Sequence, residues 1–352
     1  MKLFTVGPVA CRPEVLEEMS EQMFSHRSER YRELHRETLG RLKKFLETDQ
    51  EVFLFPSSGT GVMESSVRNC VDEKLLCCVN GAFGERFIEV SESNGLKVET
   101  LETKLGEPTT PEELDSKLSS NPDVEAVSLT FNETSVGLLN PLPEIGKVVD
   151  EHDKLLLVDA VSAMGGTDIK VDDWGVDVCF ASSQKCFGVP PGLAIGSVSD
   201  RALEKSEEVE ERGWYFDLKR YKEYNERKSG THMTPPVPQI LALNRMLKII
   251  EEDGKYNHLE KYEKRNRKIR RGIEALGLSL FPKEGYESPT VTCVNAPEDM
   301  SGFEIYKEMQ KKGFELAKGY GDLRDETFRI GNMGHVPFEN IDQMIKALKD
   351  LL

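Results

Sequence analysis

Residues 176–192 read VDVCFASSQKCFGVPPG, and the fold turns on how this stretch is read. Val178–Ser182 is short and almost continuously apolar, and Gly188 and Pro190–Pro191 close the segment that follows. Such a run suits a strand covered on both faces, as in a parallel sheet between helices. Lys185 then stands just past the strand's carboxyl end. Lysine is almost never buried unless something pairs with it or uses it. The position therefore asks what needs an amine there.

Working outward, similar runs recur. VFLFP (52–56), LLCCVN (75–80), AVSLTF (126–131), LLLVDA (155–160) and AIGSVS (194–199) all read as strands. Between them lie amphipathic stretches such as GVMESSVRNCV and LPEIGKVVDEHD. This alternation predicts an α/β domain, a mainly parallel sheet sandwiched by helices. The pattern changes near residue 235, where PPVPQILALNRMLKIIEEDG opens a helix with prolines and ends it with glycine. A long charged helix at about 255–276, strand-like TVTCVNA, helical GFEIYKEMQKKG, strand-like TFRIGN and a last helix at 338–352 follow. The expected division is a large domain over 1–240 and a smaller α+β domain over 241–352. In the last helix Ile341, Met344, Ile345, Leu348 and Leu352 recur at helical spacing, a core stripe. The charged run EKYEKRNRKIRR (260–271) reads as a solvated helix face.

The 352 residues carry 46 basic and 62 acidic side chains, a net charge of -16. An acidic chain argues against a nucleic-acid partner and against binding to anionic membranes. No apolar run reaches the roughly 18 residues of a membrane span, and the N-terminus lacks a signal-peptide core. The seven cysteines are odd in number and form no C-x-x-C pair. Buried thiols in a reducing cytoplasm account for them most simply. Cys186, beside Lys185, reads as a packing residue.

Three strand ends carry chemistry. FPSSGTGVMESSV is a strand, a Ser/Gly/Thr turn and a helix start, which suits a phosphate at the free backbone N–H groups. It is neither a Walker loop nor G-x-G-x-x-G, and by itself it is equally a capped helix start. Asp159 ends LLLVDA and points toward the crevice where α/β sheets bind ligands; alone it is also a candidate cap or metal ligand. Lys185 ends the third strand, with Gln184 beside it. A lysine amine condenses with a carbonyl. Pyridoxal 5'-phosphate has an aldehyde for the lysine, a phosphate for the cradle and a pyridine nitrogen for the acid.

At these residues the chain resembles the class V aminotransferases of pyridoxal-phosphate fold type I, in particular the alanine–glyoxylate/serine–pyruvate branch. The matching stretches are SSGTG, NGAFGERF, NETSVGLLNPL, LLLVDAVSAMGG, SSQKCFGVPPG, THMTPPV and FRIGNMG, and they run nearly the whole length. The resemblance implies that Lys185 is the Schiff-base lysine and the base at the substrate Cα. It implies that Asp159 pairs with the pyridine N–H and that Ser58, Gly59, Thr60 and Gln184 hold the phosphate. Phe83 would stack on the ring, where the family often carries a larger aromatic. Thr134 would bond near the 3′ oxygen. Thr231 and Thr234 would reach the phosphate of a neighbouring subunit, making a homodimer with shared sites. Arg329 would clamp the substrate α-carboxylate, a task suited to a guanidinium. No metal is implied.

The expected activity is transfer of an amino group from a small amino acid, alanine or serine, to a 2-oxo acid such as glyoxylate or pyruvate. A 2-aminoethylphosphonate or phosphoserine transaminase is the alternative, and would need a further cationic pocket to which Arg27 or Lys318 could contribute. A noncatalytic binding protein on the same fold is the reading from another class. A desulfurase would need a cysteine on a mobile loop, and none stands in an obvious one. Whether His26, Arg27, His232 or Lys318 meets substrate stays open, as does the origin of the acidic charge.

Overall fold

The computed structural model describes all 352 residues. A seven-stranded sheet forms the centre, from β1 (Glu51–Phe55), β2 (Lys74–Val79), β3 (Lys97–Glu102), β4 (Ala126–Thr130), β5 (Leu155–Asp159), β6 (Val178–Ser182) and β7 (Ala194–Val198). Their order is β1–β7–β6–β5–β4–β2–β3. The pairs β2/β3, β2/β4, β4/β5 and β5/β6 are parallel. β7 runs antiparallel to both β1 and β6. Only residues 183–193 link β6 to β7, with no helix among them. A parallel crossover needs a dozen or more residues, usually a helix, so this link turns the strand back.

The strands are apolar on both faces because alternate residues feed two cores. Val52, Leu54, Leu76, Cys78, Leu156, Val158, Cys179 and Ala181 pack into one layer. Phe53, Phe55, Leu75, Cys77, Leu155, Leu157, Val178 and Phe180 pack into the other. β3 is the exception. As the sheet edge it is half-exposed, and its sequence KVETLE is polar, so it carries no apolar run to find. The helices Glu29–Leu46 and Ala82–Ser93 are further elements that the sequence reading does not name.

Register places the strand ends on one rim. Thr130 lies opposite Asp159, Asp159 opposite Phe180, and Ala194 opposite both Ser182 and Phe55. Toward the C-terminus, β8 (Val291–Asn295), β9 (Ala317–Lys318) and β10 (Thr327–Gly331) form an antiparallel sheet, ordered β8–β10–β9. The helices Gly302–Lys311 and Phe338–Lys349 pack on it through Ile305, Met309, Ile341, Met344 and Leu348. The N-terminus joins this unit: Lys2–Leu3 pairs in parallel with Phe314–Glu315, and Phe4 enters its core. From there the chain crosses to the large sheet, where Val9 N donates to Gln184 O at 3.2 Å. No helix is long and apolar enough to cross a membrane.

Candidate active site

The rim is the set of carboxyl ends of parallel strands, where open α/β sheets bind ligands. After β1, Pro56–Ser58 leads into the helix Gly59–Cys70. Ser58 occupies the cap position with extended backbone, yet its side chain makes no capping bond. Ser58 and Thr60 are exposed, while Gly59 is buried. A Cβ on Gly59 would lie 2.5 Å from Val161 Cγ2, so only glycine lets the helix start press against the segment after Asp159. The result is a helix N-terminus with free N–H groups, a seat for an anion.

Asp159 is 4% exposed, and its Oδ1 accepts from Val161 N at 2.8 Å. Burial pushes its carboxyl up to about 7, with the charge of Glu133 adding to the effect and Lys185 and Arg86 opposing it. Lys185 is 9% exposed. Burial pulls its ammonium down to about 8; Asp159 resists, and Arg329 and Arg86 pull the same way as burial. Lys185 Nζ donates to Val6 O and makes no ion pair. Around these groups the Gln184 Oε1, Ser182 Oγ and Thr130 Oγ1 atoms are buried without partners.

Lys185 opens on a cleft of about 350 Å³ between the large sheet and the C-terminal unit. Phe83, Thr134, Lys318 and Arg329 line the same cleft. The Arg329 guanidinium is held by backbone carbonyls: Nε and Nη2 donate to Lys318 O at 3.1 and 2.9 Å, and Nη1 donates to Thr134 O at 2.9 Å. No carboxylate pairs with it, and burial lowers its affinity for a proton. The Thr134 hydroxyl lies 2.5 Å from Ser162 Oγ. Phe83 is half-buried, with its ring 6.1 Å from Tyr320 and 4.8 Å from the Arg86 guanidinium.

Several site residues escape the sequence reading. Glu133 is fully buried, accepts from Phe83 N (3.0 Å), Gly84 N (3.3 Å), Ser135 N (3.0 Å) and Ser135 Oγ (2.5 Å), and so clamps the turn that presents Phe83. Tyr320 bridges the cleft wall: Arg86 Nη2 donates to its hydroxyl at 3.3 Å, and its ring faces Arg329 at 5.6 Å. Gly7 has φ +121°, and a Cβ there would lie 2.7 Å from Lys185 Cδ and Cε. Gly7→Ala is expected to strain the arm by about 1–3 kcal/mol and displace the amine. Turnover should fall by up to about 100-fold with an unchanged circular dichroism spectrum. Unaltered kcat/KM in that variant would show that the arm does not set the lysine.

The other candidates lie outside this cleft. Thr231 is buried, its hydroxyl donating to Met233 O at 2.7 Å, and Thr234 is exposed. His232 sits edge-on to Trp214 and Tyr221, with Nε2 against Tyr215 O at 3.2 Å. His26 lies edge-on to Tyr31, and Arg27 is exposed.

These features meet the demands of pyridoxal 5'-phosphate. A buried amine suits an aldehyde, a buried acid without a side-chain partner suits a pyridine N–H, and an uncapped helix start suits a phosphate. The class-V aminotransferase family model matches residues 13–321. An aminotransferase of Methanocaldococcus jannaschii is 37% identical, over 94% of this chain and 87% of its own. A serine–glyoxylate aminotransferase of Arabidopsis thaliana is 31% identical, over 95% and 86%. The crystal structure of an alanine–glyoxylate aminotransferase from Nostoc sp. superposes with a TM-score of 0.95 at 30% identity, covering 99% of this chain and 94% of that one. The rim chemistry, the fold and the length of these matches agree: the chain belongs to the class V aminotransferases, enzymes of pyridoxal-phosphate fold type I that work with pyridoxal 5'-phosphate.

Proposed function

We propose that the enzyme moves the amino group of a small amino acid, alanine or serine, to glyoxylate or pyruvate, using Lys185 as its working amine and Arg329 as its fixed cation. The carrying observation is that both are buried on one cleft and neither is paired with a carboxylate. An unpaired buried charge is costly, so the cleft is built to receive an anion beside an amine. An amino acid or 2-oxo acid brings that carboxylate. Two of the three relatives named above share glyoxylate in their names and differ in the amino donor.

Bound on this rim, the cofactor supplies a carbonyl that exchanges amines and a ring that accepts charge from the substrate Cα. Asp159 would hold the pyridine N–H, while Ser58, Gly59, Thr60 and Gln184 would take the phosphate. Phe83 would stack on the ring and Thr134 would bond near its 3′ oxygen. Lys185, when not bonded to the cofactor, would take and return the proton at the substrate Cα; burial keeps a useful share of its amine neutral near pH 8. Arg329 fixes the α-carboxylate with the N–H groups that Lys318 and Thr134 leave free. Because its position is set by backbone carbonyls, it needs no rearrangement to bind.

Arg329→Lys is expected to lower kcat/KM for every amino acid donor by about 10- to 100-fold, since lysine cannot reproduce the fork. Cofactor affinity should stay unchanged. Equal half-reaction rates for the variant and the parent with alanine and serine would remove Arg329 from the substrate site. Arg86 and Lys318 stand beside the cleft and favour, as the alternative, a donor with a phosphonate or phosphate group. A panel of donors against glyoxylate, pyruvate and 2-oxoglutarate, with 2-aminoethylphosphonate and phosphoserine included, separates the two readings.

The working form in this reading is a homodimer. Thr231 and Thr234 lie away from their own cleft, and Trp214 beside them is 54% exposed, which supports a role toward a second subunit's phosphate. All seven cysteines are free thiols, in keeping with a cytoplasmic enzyme.

A further inference from the structure

The charged run 260–271, read from sequence as a solvated face, is only partly so. In the helix Lys255–Ala275, Tyr262, Arg265 and Asn266 are buried. Arg265 is 9% exposed, its Nη1 donates to Gly334 O at 3.2 Å, and its Nε is buried without a partner. No carboxylate forms an ion pair with it. Arg265 lines a small, partly open cavity of about 20 Å³ together with Arg12, His258, Lys261, Tyr262 and His335, with no carboxylate in the wall. The two nearby acids are already engaged: Glu14 with Arg12 at 3.2 Å, and Asp253 with Lys261 at 2.5 Å. Burial lowers both histidines, His258 to about 4, so neither carries charge at neutral pH. Three cations against two carboxylates leave one positive charge uncompensated, and it is buried.

We propose that this cavity is a binding site for one small monovalent anion of chloride size, held by Arg265 Nε and the flanking Arg12 and Lys261. A water molecule would satisfy the orphaned N–H but not the charge, and an unpaired buried charge is strongly disfavoured. The volume admits a single small particle. A chain with a net charge of -16 has no general need of anions, so the excess at Arg265 is a local one. The seat joins five segments: the N-terminal arm at Arg12, the residues directly after Lys185, the helix Val237–Asp253 at Met246, the long helix, and the turn at Gly334–His335. Tyr262 OH donates to Cys186 O at 2.5 Å, and Gly188 N donates to Lys185 O at 2.9 Å. Occupancy would therefore brace the back of the Lys185 turn, and a ligand bound only to the native state stabilises it by mass action.

The test compares sodium chloride with sodium gluconate at equal ionic strength, gluconate being too large for the cavity. The thermal midpoint of the wild-type protein should rise with chloride concentration and not with gluconate. Crystals soaked in bromide should show an anomalous peak within ion-contact distance of Arg265 Nε. Arg265→Met, which removes the charge and keeps the volume, should lose both effects. Should that variant fail to fold, the wild-type measurements decide alone. A midpoint that follows ionic strength equally in the two salts, with no bromide peak at Arg265, would overturn the proposal. So would a partner subunit's carboxylate seated in the cavity.

Discussion

Lys185→Ala is expected to stop turnover, with kcat down by at least about 1,000-fold, while the protein stays folded and still takes up the cofactor non-covalently. Lys185 has two tasks in the account: it bonds the cofactor, and it moves the substrate Cα proton. Its surroundings suit both. It lies against the Val6 carbonyl with no carboxylate to hold it as a cation, and burial lowers its pKa to about 8. Solvent exchange of the Cα proton of alanine, followed by NMR in deuterium oxide, reads the second task directly. The variant should show none. Exchange at the parent rate would mean that another base does the work.

Asp159→Asn carries the second large effect, in two opposite directions. Activity should fall by at least about 100-fold, because a neutral amide does not keep the pyridine nitrogen protonated. The apoprotein, in contrast, should become more stable. Burial raises the Asp159 carboxyl from its ordinary value of 3.8 to about 7. Between these values the native state holds a proton that the unfolded chain has released. Stability therefore falls as pH rises through that window, and the full penalty remains above pH 7. Asparagine can still accept the Val161 N–H and has no charge to desolvate. Thermal melts of cofactor-free protein at pH 8 should place the variant above the parent by on the order of 2–4 kcal/mol, with the gap closing toward pH 4. A variant less stable than the parent at pH 8 would mean that Asp159 is paired with a cation in the apoprotein.

How far the molecule could be read from its sequence varies by element. Strands buried on both faces announced themselves as apolar runs, because each alternate residue serves a different core. β3 did not, since an edge strand needs no such run. The reversal of β7 leaves a trace only in the short, helix-free link from Ser182 to Ala194. Within the site, Asp159 and Lys185 stood out as polar residues ending apolar strands. Glu133 had no such signal, since it stands between Asn132 and Thr134 in a polar stretch, and it works as a clamp on the Phe83 turn. The approach of Gly7 to Lys185 joins positions far apart in the chain and has no local signature. Tyr320 and Arg86 form one wall from two units of the fold, and Arg265 hides in a run whose composition says solvent.

In the proposed function Lys185 bonds the cofactor beside Asp159, at the cleft that Arg329 lines. Borohydride reduction of the reconstituted wild-type enzyme, followed by proteolysis and mass spectrometry, tests it most directly. A single phosphopyridoxyl adduct is expected, on the peptide containing Lys185, and it should be lost when alanine is added before reduction. An adduct on a different lysine, or a Lys185 adduct that alanine leaves in place, would contradict it.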